Sequence, residues 1–307
     1  MKGLAEFVMR GRLQALLVIV AGAGSLLFCW ISAAALALVT LRKGAGSGAW
    51  LFMWALLPAG TLIYAFGDSG PLALLVGTML LAIVLRSTVS LPAAVLAGVG
   101  VGLATGLALL AFGGQYLEQV VAYFGEFLAS LEQQLSQGGE AVELPRPESG
   151  QIAGMLGAGT AMMSVLCLML ARYWQSALYE PGGFGVEFKA LYYPVAVSSV
   201  LVVMALALFS LGMQYRTWAM ICVIPLTFAG LALIHSRADS RGKGSGWLTV
   251  FYITWVIFDP VKLLVVFIAI ADSWLKFRQR WAQKAGTAVR KSGEHERDNT
   301  DDDSRDI

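Results

Sequence analysis

Asp259 and Lys262 stand three residues apart inside the run VFYITWVIFDPVKLLVVFIAIADSWLKF, residues 250–277. On a helix that spacing puts both on one face, where a carboxylate and an ammonium can pair. Deep in hydrocarbon, ionisable side chains mark an ion or proton path. At an interface the same pair would simply be solvated at a turn. Pro260 favours the turn, because it lacks an N–H and disfavours helix at the preceding residue. Both readings of Asp259 and Lys262 are open at this point.

Other candidates carry packing or docking rather than reaction chemistry. In AVLAGVGVGLATG, Gly98, Gly102 and Gly106 recur every four residues and line one helical face, with Ala94 extending it. Small residues let two backbones approach in lipid, so this face suits packing within the bundle, a subunit interface or a substrate path. Gly154 and Ala158 repeat the pattern, and Ala33 and Ala37 form a weaker face that suits partner docking. The stretch ARYWQSALYEPGGFGVEFKALYYP is expected to be a cytoplasmic loop at 174–193. Arg172, Tyr173 and Trp174 would anchor it at the interface. Gly182 and Gly183 permit the sharp turn before Phe184. Arg172, Trp174, Gly182, Gly183 and Phe184 are thus candidates for docking a cytoplasmic partner.

Enzymatic constellations are missing. The two histidines, His235 and His295, lie in no metal-ligand spacing, and neither H-E-x-x-H nor G-x-S-x-G occurs. Cys29, Cys167 and Cys222 are far apart inside apolar runs, which predicts neither disulfide nor metal. The expectation is a non-enzyme with no catalytic residue, no metal and no cofactor.

The elements that must position these residues follow from composition. Of the 307 residues, 57% are hydrophobic and 14% charged, and the mean hydropathy is +0.69. Soluble chains carry about 25% charged residues. Continuous apolar blocks fall at about 13–41, 49–67, 71–86, 90–113, 152–173, 194–213, 217–235 and 247–275. They predict an all-α, polytopic transmembrane helical bundle of 8–10 membrane segments, with the lipid bilayer as its solvent. Blocks rather than alternation disfavour a β-barrel, and basic clusters at block edges point to a membrane face, not to nucleic acid.

Four regions are expected: membrane segments in 1–114, an acidic external segment in 115–150, membrane segments in 151–281, and a disordered charged tail in 282–307. Within 115–150, Leu117, Val120, Val121, Phe124, Leu128, Leu131 and Leu135 recur at helical steps between Glu118, Glu126 and Glu132. This predicts an amphipathic helix outside the membrane core, ended by Gly138–Gly139.

The first and last apolar runs each approach thirty residues, longer than a bilayer of about 30 Å requires. If each crossed once, the basic loops would fall on the wrong side. Turning both back, near Gly22–Ser25 and at Asp259–Pro260, puts both termini with Arg42, Lys43, Arg86 and the 235–246 loop on the cytoplasmic side. Asp68 becomes a turn residue on the other.

The segments AEFVMRGRLQALLVIVAG, ISAAALALVTLRKG, ARYWQSALYEPGGFGVEF and IADSWLKFRQR resemble the YybS-like family of bacterial integral membrane proteins. That family is grouped with the substrate-capture (S) components of energy-coupling-factor vitamin transporters. The resemblance implies a bacterial cytoplasmic (inner) membrane and a transporter or substrate-capture subunit. It also implies docking on a membrane coupling subunit through small-residue faces such as Ala33 and Ala37, with a homo-oligomer as another arrangement. The alternative function is a non-transporting scaffold that recruits a cytoplasmic or periplasmic partner.

Overall fold

The computed structural model describes residues 2–136, 143–242, 244–278 and 280–281. Among them there is helix, turn and coil but no strand. The elements are α1 (Lys2–Arg10), α2 (Arg12–Ala23), α3 (Cys29–Lys43), α4 (Ala45–Phe66), α5 (Gly70–Thr88), α6 (Leu91–Phe112) and α7 (Gly114–Ser136). They continue with α8 (Ser149–Tyr179), α9 (Gly183–Lys189), α10 (Val195–Ser210), α11 (Met213–Ser240), α12 (Ser245–Ile257) and α13 (Asp259–Leu275). The chain is an all-α polytopic bundle. Helices α4, α5, α6, α8 and α11 are each long and apolar enough to cross a bilayer, and the bent pair α12–α13 passes the same test as one broken span or as a re-entrant loop.

Both outermost apolar runs are broken. The first stops at Ala23, restarts at Cys29, and folds α2 against α3. The Ser32 hydroxyl donates across that hairpin to the Ile19 carbonyl at 2.6 Å. The last run breaks at Phe258, where the chain direction changes by 114°. That is an elbow with splayed arms, and Pro260 sits in the first turn of α13, where its missing N–H costs nothing.

The centre is built from small residues. α8 packs on α6 and α11 at once. A Cβ at Gly157 would lie 2.5 Å from the Gly102 carbonyl, and one at Gly106 would lie 2.7 Å from the Trp218 ring. Without side chains in the way, the two backbones touch, which is how helices associate where lipid supplies no hydrophobic drive. At one end Thr217 and Trp218 of α11 donate to the Gln151 and Gly150 carbonyls of α8, at 3.0 and 2.9 Å.

The helix ends sort by charge. Arg86 donates to the Leu41 carbonyl, Arg42 lies 4.2 Å over the Tyr179 ring, and Arg237 lies 4.3 Å over Trp281. These contacts gather the basic residues at one end of the bundle. Buried Tyr193 joins them, donating to the Pro92 carbonyl at 2.9 Å; burial pushes its phenol pKa up. At the other end Asp68 caps its own turn, accepting from the Gly70 N–H at 2.8 Å. Burial, and next the Asp68 carboxylate, push the nearby Tyr116 phenol up as well.

Helix α7 carries the expected amphipathic pattern. Leu117 is buried and Val120, Val121, Leu128 and Leu131 are half-buried, while Tyr123, Phe124, Phe127 and Leu135 are exposed. The expected stop at Gly138–Gly139 and the charged tail 282–307 lie outside the described residues.

Two expectations are corrected. The 174–193 stretch is not a loop from its start: α8 runs six residues further, to Tyr179, and α9 follows after a short turn. At 31 residues α8 is about 46 Å long at 1.5 Å per residue. Trp174 therefore lies inside a packed helix, 1% exposed, rather than in an interfacial belt.

Candidate functional site

The end of α8 is stitched to α9 by its own polar residues. The Ser176 hydroxyl donates to the Glu180 carbonyl at 2.7 Å and accepts from the Phe184 N–H at 2.9 Å. Between them Gly182 takes φ +88°, a left-handed conformation that favours glycine. Arg172 then reaches from α8 to Glu187 of α9 at 2.6 Å. Lys189, at the other end of α9, pairs with Asp239 of α11 at 2.6 Å. Finally Arg278 donates to the Lys189 carbonyl at 2.7 Å. Three charged ties thus hold α9 as a shelf across the basic end of the bundle.

Arg278 also faces Asp272 of α13 at 3.1 Å, with the carboxylate 4% exposed. Burial pulls the guanidinium pKa down, and the charge of Asp272 opposes that pull. The pair fixes the last turn of α13 beneath the shelf.

A cavity of about 800 Å³ opens between α8, α9, α11 and α12. Its α8 wall is Met162, Leu166, Met169, Leu170 and Tyr173, one face at helical spacing. The facing wall is a row of rings. Tyr173 meets Phe184 edge-on at 6.1 Å, Phe184 stacks on Phe188 at 6.0 Å, Phe188 meets His235 at 5.4 Å, and His235 meets Tyr252 at 5.7 Å. Trp255 follows Tyr252 at 6.5 Å. His235 Nδ1 lies 2.9 Å from the Leu231 carbonyl, which requires a proton on that nitrogen. Nε2 lies 3.4 Å from the Tyr252 hydroxyl, and in the neutral ring it would be the acceptor. Lys189 and Asp239 are the charged side chains on the lining, and they neutralise each other.

The arrangement is a cavity lined mostly by apolar side chains, with one ion pair on its wall. Ligand cavities of about 300–1,000 Å³ are mostly apolar, with a few placed polar groups, and this one has that make-up. Among the described residues no cluster of three His, Cys, Asp or Glu could hold a metal. The three cysteines are free and buried.

Of the candidate docking and pathway residues read from the sequence, only Phe184 lines this cavity, together with Tyr173, which was expected only as an anchor. Arg172, Gly182 and Gly183 shape the shelf behind it, so Arg172 is spent on Glu187 and Glu180 instead of a partner. Ala33 and Ala37 are fully enclosed, which corrects their expected role as an outer docking face. Trp174 is likewise out of reach of any partner. The glycine face is neither path nor subunit interface: Gly98, Gly102 and Gly106 close against Val165, Ala161 and Ala153 of α8. Asp259 and Lys262 do pair, at 2.7 Å, but at the exposed elbow and away from the cavity.

Sequence reasoning passed over His235, Tyr252, Asp239 and the α8 methionines. Met162, Leu166, Met169 and Tyr173 did carry a signal, a face of large residues on the same helix whose other face is glycine and alanine. Compared with protein-family models, curated proteins and solved structures, the chain matches none.

Proposed function

We propose that the chain is a substrate-capture subunit of a membrane transporter, and that the α8–α9–α11–α12 cavity is where its small-molecule substrate sits. The observation that carries this reading is the cavity itself: about 800 Å³, apolar, walled by rings, with its charges already paired. A space of that size and make-up is within the range of small-molecule sites. The resemblance of four segments to the YybS-like family supports the same assignment.

Orientation follows from charge. Arg42, Lys43, Arg86, Lys189 and Arg278 belong to the end that carries the shelf, and basic residues favour the cytoplasmic side. The protein then sits in a bacterial cytoplasmic membrane with both termini inside and the cavity near the inner face. With Ala33 and Ala37 enclosed, a coupling subunit or a second copy would use another face.

The test is ligand retention by the full chain in lipid nanodiscs, read by native mass spectrometry. Gly185 lines the cavity, and a Cβ there would meet no heavy atom within 4 Å. Gly185→Trp therefore adds bulk without displacing a packed neighbour. The expected result is a co-purified small molecule on the wild type that the variant lacks, with thermal stability unchanged. Identical retention by both proteins would remove the cavity from consideration.

A further inference from the structure

A second, smaller cleft lies at the basic end between α2, α3 and α4, far along the chain from the α8–α9 cavity. It encloses about 260 Å³. Arg12 and Lys43 stand on its rim. Both are exposed, and neither has a carboxylate partner among the described residues. No acidic residue lines the cleft. Two cations without a carboxylate partner therefore face one small space, although like charges repel.

The remainder of the cleft is graded in polarity. Ser47 and Gly46 lie in the first turn of α4, whose N-terminus has no side-chain cap, so its free N–H groups add to the positive potential. Ala15 and Leu51 form an apolar floor, and Trp50 closes one side with its ring 41% exposed. One turn on, Trp54 continues the edge, meeting Trp50 at 6.2 Å. Leu13 and Leu17, on the outer side of α2, are 70% and 65% exposed. A molecule in this cleft meets positive charge at the bundle end and a greasy flank that leads away toward the membrane middle.

We propose that this cleft is a binding site for the phosphate headgroup of an anionic phospholipid of the same leaflet, with an acyl chain running along the α2–α4 flank. Charge complementarity selects the anion, and basic pockets between transmembrane helices take lipid phosphates in this way. The apolar flank selects a lipid over a soluble phosphate ester. Indole rings at headgroup depth fit the same placement. The assignment does not rest on the capture function, since the two sites share no residue.

The experiment is native mass spectrometry of the full chain offered phosphatidylglycerol or phosphatidylcholine, with glycerol phosphate as a soluble competitor. The wild type should retain phosphatidylglycerol in preference to phosphatidylcholine. The double variant Arg12→Gln, Lys43→Gln should lose about tenfold or more of that preference, from roughly one basic-residue contribution each. Gly46→Phe, at a lining position where a Cβ meets nothing within 4 Å, should lose it with both charges intact. Lys2→Gln with Arg10→Gln removes two exposed bases outside the cleft and should change nothing. Equal loss in both double variants would reduce the effect to general surface charge and overturn the site. Displacement of the lipid by glycerol phosphate alone would overturn the choice of lipid, and equal retention of the two lipids would overturn the proposal altogether.

Discussion

Helix α8 buries Gly154, Gly157, Ala161, Ser164, Val165 and Leu168 among its neighbours, whereas none of residues 246–257 in α12 is buried. Both are oily. The difference lies in side-chain size. In lipid an apolar side chain gains little by leaving its solvent, so helices meet where small residues allow close backbone contact. The face of α8 toward α6 is Ala153, Gly157, Ala161 and Val165. α12 reads SGWLTVFYITWVI, and its bulky residues hold it off the bundle. The α8–α9 cavity lies where these two kinds of helix face one another.

That contrast can be broken first at its tightest point. Gly157→Leu would drive a side chain into the Gly102 carbonyl and should cost about 3 kcal/mol or more, since the obstacle is backbone. Gly159→Leu, two residues on where a Cβ meets nothing within 4 Å, should cost under about 0.5 kcal/mol. Denaturation midpoints of the two variants in detergent measure the gap, and equal midpoints would refute the backbone contact.

Next comes the buried ion pair beneath the shelf. Arg278→Met leaves Asp272 enclosed without its partner and should destabilise by about 3 kcal/mol. Adding Asp272→Asn should recover more than half of that loss, because the uncompensated charge is the main cost. No recovery in the double variant would mean that Arg278 acts through its bonds to the Lys189 and Ala229 carbonyls.

The smallest effects belong to the elbow side. Ile253→Ala on α12 should shift stability by less than about 0.5 kcal/mol, as its side chain is 55% exposed. Asp259→Asn removes an exposed i,i+3 pair worth about 0.3 kcal/mol and should leave any transport unaffected. A large loss of flux in that variant would restore Asp259 and Lys262 as an ion pathway.

Helix positions along the chain were largely legible, because long apolar blocks and their glycine or proline punctuation are local signals. The breaks at residues 24–28 and at Phe258 follow from Gly22–Ser25 and Asp259–Pro260 in the sequence. The glycine face at Gly98, Gly102 and Gly106 was visible too, but its partner was not: Gly157, rather than Ala158, meets it. The cavity was beyond reach for the same reason. His235, Tyr252 and Lys189 come from α11, α12 and α9, and no spacing along one segment encodes that they share a space. Trp174 was misplaced because RYW at the end of an apolar block looks like an interfacial belt, and nothing local shows that α8 continues through it.

The reach of α8 has one more consequence. A bilayer core about 30 Å thick covers only part of a helix about 46 Å long, so about 16 Å of an upright α8 stands clear of it. In the proposed orientation the stub carrying α9 is on the cytoplasmic side, and the ring-walled chamber then straddles the boundary between oil and cytosol. A guest held there could be handed from one phase to the other with little travel, and membrane thickness would act as the dial that sets how wet its doorway is.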